Sequence, residues 1–186
     1  MSASGTNSNS YLQKPAAAPA DGQVLAWSAT LGSYTPVNPT GASELAFAAN
    51  ITGTVTSLSA SGGAGAIVDI PGCVITVPPS ADRSVRVEYA IDATQTAAGL
   101  GTIYVLLYET TGTATLLDYA ATTLPNQTGA GVNQIPSPRG TFELGVVTST
   151  RTFKLSAYIY AVASNSPTAN VTNTAGQSSI IRALAG

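Results

Sequence analysis

Ser84-Val85-Arg86-Val87-Glu88-Tyr89-Ala90-Ile91-Asp92 decides the fold class. Apolar Val85, Val87, Tyr89 and Ile91 alternate with polar Ser84, Arg86, Glu88 and Asp92. A period of two belongs to a strand with one buried and one solvated face. The pattern returns in Phe142, Leu144 and Val146, and again in Phe153, Leu155, Ala157, Ile159 and Ala161. These read as half-buried antiparallel strands. Ile103-Tyr104-Val105-Leu106-Leu107-Tyr108 is instead a continuous apolar run. It is expected to be a strand covered on both faces, by an opposing sheet or by a neighbouring subunit.

Further strands are expected at 51–59, 65–70, 73–77, 114–121, 168–173 and 177–184. Turn signals separate them, among them Ser61-Gly62-Gly63, Pro78-Pro79, Gly99-Leu100-Gly101, Thr111-Gly112-Thr113, Pro136-Ser137-Pro138 and Ser166-Pro167. Only 42–49, Ala42-Ser43-Glu44-Leu45-Ala46-Phe47-Ala48-Ala49, has the propensity for a short helix. Roughly eight to ten strands at intervals of about 8–12 residues point to an all-β fold, an antiparallel two-sheet sandwich of jelly-roll type. Residues 44–186 form that domain, and residues 1–43 an N-terminal docking arm and β-hairpin. In the arm, Lys14-Pro15-Ala16-Ala17-Ala18-Pro19-Ala20 favours an extended path because Pro fixes φ and lacks a donor. Val24-Leu25-Ala26-Trp27-Ser28 and Leu31-Gly32-Ser33-Tyr34-Thr35-Pro36-Val37 read as hairpin partners. A hairpin is marginal alone, so Trp27 is expected either to plug into the main domain or to anchor on a partner.

Composition removes most chemistry. Of 186 residues only 9% are charged, 7 Lys+Arg against 9 Asp+Glu, which leaves no footprint for nucleic acid or an anionic membrane. Histidine is absent and cysteine occurs once, which excludes Ser-His-Asp and Cys-His catalysis, His or thiolate zinc sites and an internal disulfide. Cys73, in an apolar run, reads as a buried hydrophobe. Asp69, Asp82, Glu88, Asp92, Glu109, Asp118 and Glu143 are the carboxylates from which a glycosidase pair or a calcium site would be drawn. They are scattered, no Asp-x-Asp-x-Asp loop occurs, and neither enzyme activity nor any metal or cofactor is expected. Ser61-Gly62-Gly63-Ala64-Gly65-Ala66 lacks the Lys-Ser/Thr ending of a phosphate cradle and reads as a turn. Asn50, Asn126 and Asn170 head N-x-S/T triplets that reflect Thr/Asn-rich composition. The N-terminus has neither the basic nor the apolar region of a signal peptide, and no window has the roughly 18 apolar residues of a membrane span.

With mean hydropathy of +0.22 and little charge to keep copies apart, association is the expected state. Tyr104, Leu106, Tyr108, Tyr158 and Tyr160 are the candidates for packing between subunits, with Tyr104, Tyr108, Tyr119, Tyr158 and Tyr160 also able to stack on sugar. Tyr11, Leu12, Pro15, Pro19, Val24, Leu25, Trp27 and Tyr34 are the candidates for docking the arm to a partner.

Asp69-Ile70-Pro71-Gly72-Cys73-Val74-Ile75-Thr76-Val77-Pro78, leading into Arg83-Ser84-Val85-Arg86-Val87-Glu88-Tyr89, resembles a pattern of tailed-bacteriophage virion proteins. There such a strand runs into a basic, alternating strand of a jelly roll similar to the tumour-necrosis-factor and C1q heads. Pro19-Ala20-Asp21-Gly22-Gln23-Val24-Leu25-Ala26-Trp27, followed by Gly32-x-Tyr34-x-Pro36, resembles an element of phage fibre and tail proteins. The C-terminal Ser178-Ser179-Ile180-Ile181-Arg182-Ala183-Leu184 departs from the acidic last strand of many such domains. The resemblance implies a homotrimeric structural protein of the virion, built for attachment. The expectation is a capsid decoration or head fibre whose arm docks to major capsid or other virion proteins. The alternative is a tail or tail-fibre module that serves host attachment by recognising a surface saccharide.

Overall fold

A computed structural model describes residues 24–28, 33–37, 43–50, 54–80, 82–125, 133–172 and 179–186. The chain divides into two compact units, Met1–Ala42 and Ser43–Gly186. In the first, β1 (Val24–Ser28) and β2 (Ser33–Val37) pair antiparallel, with Trp27 opposite Tyr34, so the expected hairpin forms.

The second unit contains β3 (Ser43–Ala49), β4 (Val55–Ser59), β5 (Val68–Val77), β6 (Ser84–Ala90), β7 (Ala93–Ala97), β8 (Gly101–Glu109), β9 (Thr115–Leu124), β10 (Asn133–Gln134), β11 (Arg139–Val146), β12 (Arg151–Ala161), β13 (Thr168–Thr172) and β14 (Ile180–Ala185). One sheet runs β5-β12-β8-β9. The orders β11-β6-β14-β3 and β10-β7-β13-β4 are two halves of the other. Each strand of one half continues in sequence into the strand at the same place in the other. Hydrogen bonds from Ile91 N to Pro138 O, Asn50 N to Ser179 O and Thr172 N to Asp92 O carry the ladder across the break. Counted as paths, the first (β3/β4) pairs with the last (β13/β14) and the second (β5) with the seventh (β12). The third (β6/β7) pairs with the sixth (β10/β11), and the fourth (β8) with the fifth (β9). That nested antiparallel pairing is a jelly roll, and it establishes the all-β two-sheet sandwich.

The core lies between the sheets. Val85, Val87, Tyr89 and Ile91 meet Ile103, Val105, Leu107, Phe153, Leu155, Ala157 and Ile159, all buried, as the period-two pattern demands. Each fully buried aliphatic or aromatic side chain contributes about 1.5–3 kcal/mol. Cys73 is buried among them with its thiol toward Ser179 O, and desolvation pushes its pKa up to about 12, so it stays a neutral thiol.

Three sequence expectations are corrected. Residues 43–49 form a strand, not a helix, because β14 pairs along them and that ladder outweighs a weak Ala/Leu propensity. Residues 65–70 and 73–77 are not two separate strands. Val68–Val77 is one strand against β12, with a bulge at 70–73 where Pro71 interrupts the ladder. Val146 does not follow Phe142 and Leu144 inward: a bulge between Glu143 and Gly145, the latter at φ 68°, inserts one residue and turns Val146 out to 48% exposure.

Candidate functional site

The outward face of the β5-β12-β8-β9 sheet concentrates the aromatic residues. Inward Ile103, Val105 and Leu107 fix the alternation of β8, which leaves Tyr104, Leu106 and Tyr108 pointing out. On β12, inward Phe153, Leu155, Ala157, Ile159 and Ala161 leave Lys154, Ser156, Tyr158 and Tyr160 on the same side. Register then decides the neighbours. Tyr104 is flanked by Tyr158 and Ala121, Leu106 by Ser156 and Tyr119, and Tyr108 by Lys154 and Leu116. Tyr104 and Tyr158 stack at 4.8 Å with planes 9° apart, and Tyr119 tilts toward Tyr104 at 6.0 Å. These are favourable aromatic separations, worth about 0.5–1.5 kcal/mol per pair beyond area burial.

All five residues expected to pack between subunits, Tyr104, Leu106, Tyr108, Tyr158 and Tyr160, are therefore brought to one face. Tyr119, read from sequence only as a sugar-stacking candidate, joins them at 60% exposure, with Val74 and Leu116 alongside and Tyr160 at 47%. Val74 was legible, since Cys73, Ile75 and Val77 alternate with it. Leu116 was not, because a bulge between Leu107 and Tyr108 in the β8–β9 register resets which residues of β9 face outward. Leu106 is the exception in exposure: it faces out, yet only 4% of it is accessible among its larger neighbours. The run Ile103–Tyr108 is thus buried on its inner face and only half-covered on its outer one.

The charges of this sheet are paired within the chain. Lys154 Nζ reaches Asp69 Oδ2 at 2.7 Å, and Ser156 Oγ donates to Asp69 Oδ1 at 2.6 Å. Partial burial pulls the Asp69 carboxyl up, but the bonds from Lys154 and Ser156 and the Lys154 charge outweigh it and leave it below its ordinary value. Arg151 grips Glu109 with two bonds, Nε to Oε1 at 2.8 Å and Nη2 to Oε2 at 2.5 Å, which holds the Glu109 carboxyl low. Burial first, then the neighbouring phenols of Tyr104, Tyr119 and Tyr108, raise the Tyr158 pKa. The outward face is thus a surface of tyrosine rings and aliphatic side chains with one closed ion pair, Lys154–Asp69, while Arg151–Glu109 lies on the inward side beside Phe153.

The carboxylates considered for catalysis are mostly committed elsewhere. Besides Asp69 and Glu109, Glu88 binds Arg86 and Arg182, Asp92 accepts from Ser137, and Asp118 accepts from Tyr89. Asp82 and Glu143 are exposed. Among the described residues no three of His, Cys, Asp and Glu converge as metal ligands. Asn50 is buried at 2% exposure and Asn170 holds Ser57 Oγ at 2.9 Å, while Asn126 lies outside the described residues. The 61–66 turn lies along β12, through bonds from Gly65 N to Ile159 O and from Ala161 N to Gly63 O. Of the arm candidates, Tyr11, Leu12, Pro15 and Pro19 lie outside the described residues. Val24, Leu25 and Trp27 lie on β1 and Tyr34 on β2, where backbone pairing alone is described.

No protein-family model matches the chain, and no curated protein matches it. Among solved structures it is similar to an Eiger TNF from S. frugiperda, at 14% identity and TM-score 0.47, over 76% of this chain and 90% of that one. It is also similar to infectious bursal disease virus, Gx strain, at 10% identity and TM-score 0.40, over 88% of this chain and 43% of that one. Murine APRIL follows at 9% identity and TM-score 0.35, over 69% and 99%. The jelly roll assigned above rests on strand pairing.

Proposed function

We propose that the chain is a non-enzymatic structural protein of a bacteriophage particle, a homotrimeric decoration of the capsid surface. In this reading the tyrosine face of the β5-β12-β8-β9 sheet is buried between copies and the N-terminal arm docks to the particle. One observation carries it: Tyr119, Tyr160, Val74 and Leu116 are open around a nearly closed Leu106 on a face whose lysine and aspartate, Lys154 and Asp69, are paired with each other. Such a face brings no unpaired charge to its contact with a neighbouring copy. Four strands about 4.8 Å apart and about nine residues long at ~3.3 Å each give roughly 500 Å². Two such surfaces together reach the ~1,000 Å² that a specific interface needs. Stacking between Tyr104 and Tyr158 covers one face of each ring, which leaves less aromatic surface for a sugar and favours a protein partner here. The phage assignment is supported by the sequence motifs around 69–89 and 19–36.

A cyclic trimer is a head-to-tail arrangement in which the face meets the neighbour's flank, which supplies the second surface. The test is sedimentation of the purified protein and of Tyr119→Arg. The wild type is expected to run as a trimer at micromolar concentration, and the variant to dissociate with unchanged circular dichroism. A monomeric wild type would refute self-association; a dimer would refute the trimer. Deleting residues 2–20 is expected to leave the trimer intact and lower its occupancy on particles, and unchanged occupancy would remove the arm's role.

A further inference from the structure

On the other sheet, β6, β11 and β14 enclose an outward groove of about 370 Å³ lined by Glu88, Ala90, Arg139, Thr141, Ile180 and Arg182, together with Tyr89 and Gly140. Register explains the layout. Thr141, Glu88 and Arg182 share one row across the three strands, and Arg139, Ala90 and Ile180 share the next. Glu88 is held from both sides, by Arg86 Nε at 3.1 Å on Oε1 and by Arg182 Nε and Nη2 at 2.9 and 2.6 Å on Oε2. Arg139, one row away and exposed, has no ion-pair or hydrogen-bond partner among the described residues. The groove thus combines an excess of guanidinium over carboxylate, one unengaged planar donor, an anchored acceptor, a hydroxyl and an aliphatic floor.

We infer that this groove binds a carboxylated sugar. A guanidinium takes a carboxylate through two parallel bonds, the role Arg139 is free to fill. Glu88, fixed beside it by Arg86 and Arg182, accepts from sugar hydroxyls, and Thr141 can donate or accept. Ala90 and Ile180 pack against the C–H face of a pyranose. The same Glu88 disfavours a strongly acidic peptide, because a second or third ligand carboxylate would fall against it. The volume lies in the range of small-ligand sites. The site is on the opposite sheet from the tyrosine face and does not depend on the self-association reading.

The test follows backbone amide shifts of the nitrogen-15-labelled full chain on titration with the methyl glycosides of glucuronic acid, galacturonic acid and N-acetylneuraminic acid. Each is matched with its carboxyl methyl ester, which keeps the shape and removes the charge. At least one acid is expected to shift amides at 139–141 and 180–182, with its ester binding about tenfold more weakly. Arg139→Ala is expected to lose about tenfold and Arg139→Lys less, since lysine keeps the charge without the fork. Acid and ester binding equally, shifts confined to other regions, or no shift with any of the three acids would overturn the inference. A tetraglutamate peptide that shifts the same amides with equal affinity would overturn the sugar assignment.

Discussion

The phenol of Tyr89 on β6 donates a 2.8 Å hydrogen bond to Oδ2 of Asp118 on β9, joining the two sheets through one polar contact beside an apolar core. Burial first, then the bond and charge of Asp118, raise the phenol's pKa far above its ordinary value. Tyr89→Phe keeps the ring and leaves Asp118 without its donor, at an expected cost of about 1.5–3 kcal/mol near neutral pH. The raised pKa gives a second readout. Below about pH 10 folded and unfolded chains both hold the proton, and above it only the unfolded chain releases it. Wild-type stability therefore falls as pH rises past about 10, and Tyr89→Phe is expected to show a shallower fall, with Cys73 and Tyr158 retaining part of the slope. Urea denaturation at neutral and alkaline pH checks both; equal slopes would show that Tyr89 is not the group responsible.

Gly140 sits opposite Tyr89 in the β11–β6 register, and a Cβ there would lie 2.3 Å from the Tyr89 hydroxyl oxygen and 2.4 Å from the ring carbon that carries it. The phenol reaches Asp118 by passing over a position with no side chain. Gly140→Ala is expected to displace Tyr89, break the bond and destabilise by about 1–3 kcal/mol. Adding Tyr89→Phe to Gly140→Ala should then cost much less than it does alone, because the shared bond is already gone. Additive losses in denaturation would sink this account.

Glu109 offers the acid counterpart. Its carboxyl is held low chiefly by the bond from Arg151, so the stabilisation is present above the unfolded value near 4.3 and is lost as pH falls through the folded value. Glu109→Gln leaves Arg151 over the Phe153 ring, at 5.4 Å, and removes the ion pair alone. The expected cost is about 0.5–1 kcal/mol at neutral pH, shrinking toward zero as acid protonates the wild-type carboxyl. Thermal unfolding along a pH series measures it, and a cost that stays constant down to acid pH would contradict it.

Where one sheet face is buried, the sequence was easily legible. Val85, Val87, Tyr89 and Ile91 placed β6 with its inward side correct, and the alternation of β12 predicted where Tyr158 and Tyr160 would point. Legibility failed where side chains are small. Ala93-Thr94-Gln95-Thr96-Ala97 has no large apolar residue to announce a strand, and only pairing with β13 and β10 makes it one. Ser43–Ala49 failed because its alanines suit helix and ladder alike. Bulges defeat period-two counting from within, as Val146 and Leu116 show. The tyrosine cluster was half legible: membership of each residue followed from its strand, but adjacency of Tyr104, Tyr158 and Tyr119 required the pairing of β8 with β12 and β9. The groove on the other sheet could not be anticipated, because it joins residues up to 94 positions apart, as Glu88 and Arg182 are.

The shared break in the long sheet also sorts its chemistry. Every charged residue of its strands, Glu44, Arg86, Glu88, Arg139, Glu143 and Arg182, lies on the β11-β6-β14-β3 half, while the β10-β7-β13-β4 half is built from Thr, Ser, Asn, Gln and aliphatic residues alone. Contacts made by the first half will weaken in concentrated electrolyte, whereas those made by the second will be indifferent to it. One continuous layer of backbone thus gives the molecule an end that responds to its ionic surroundings and an end that does not.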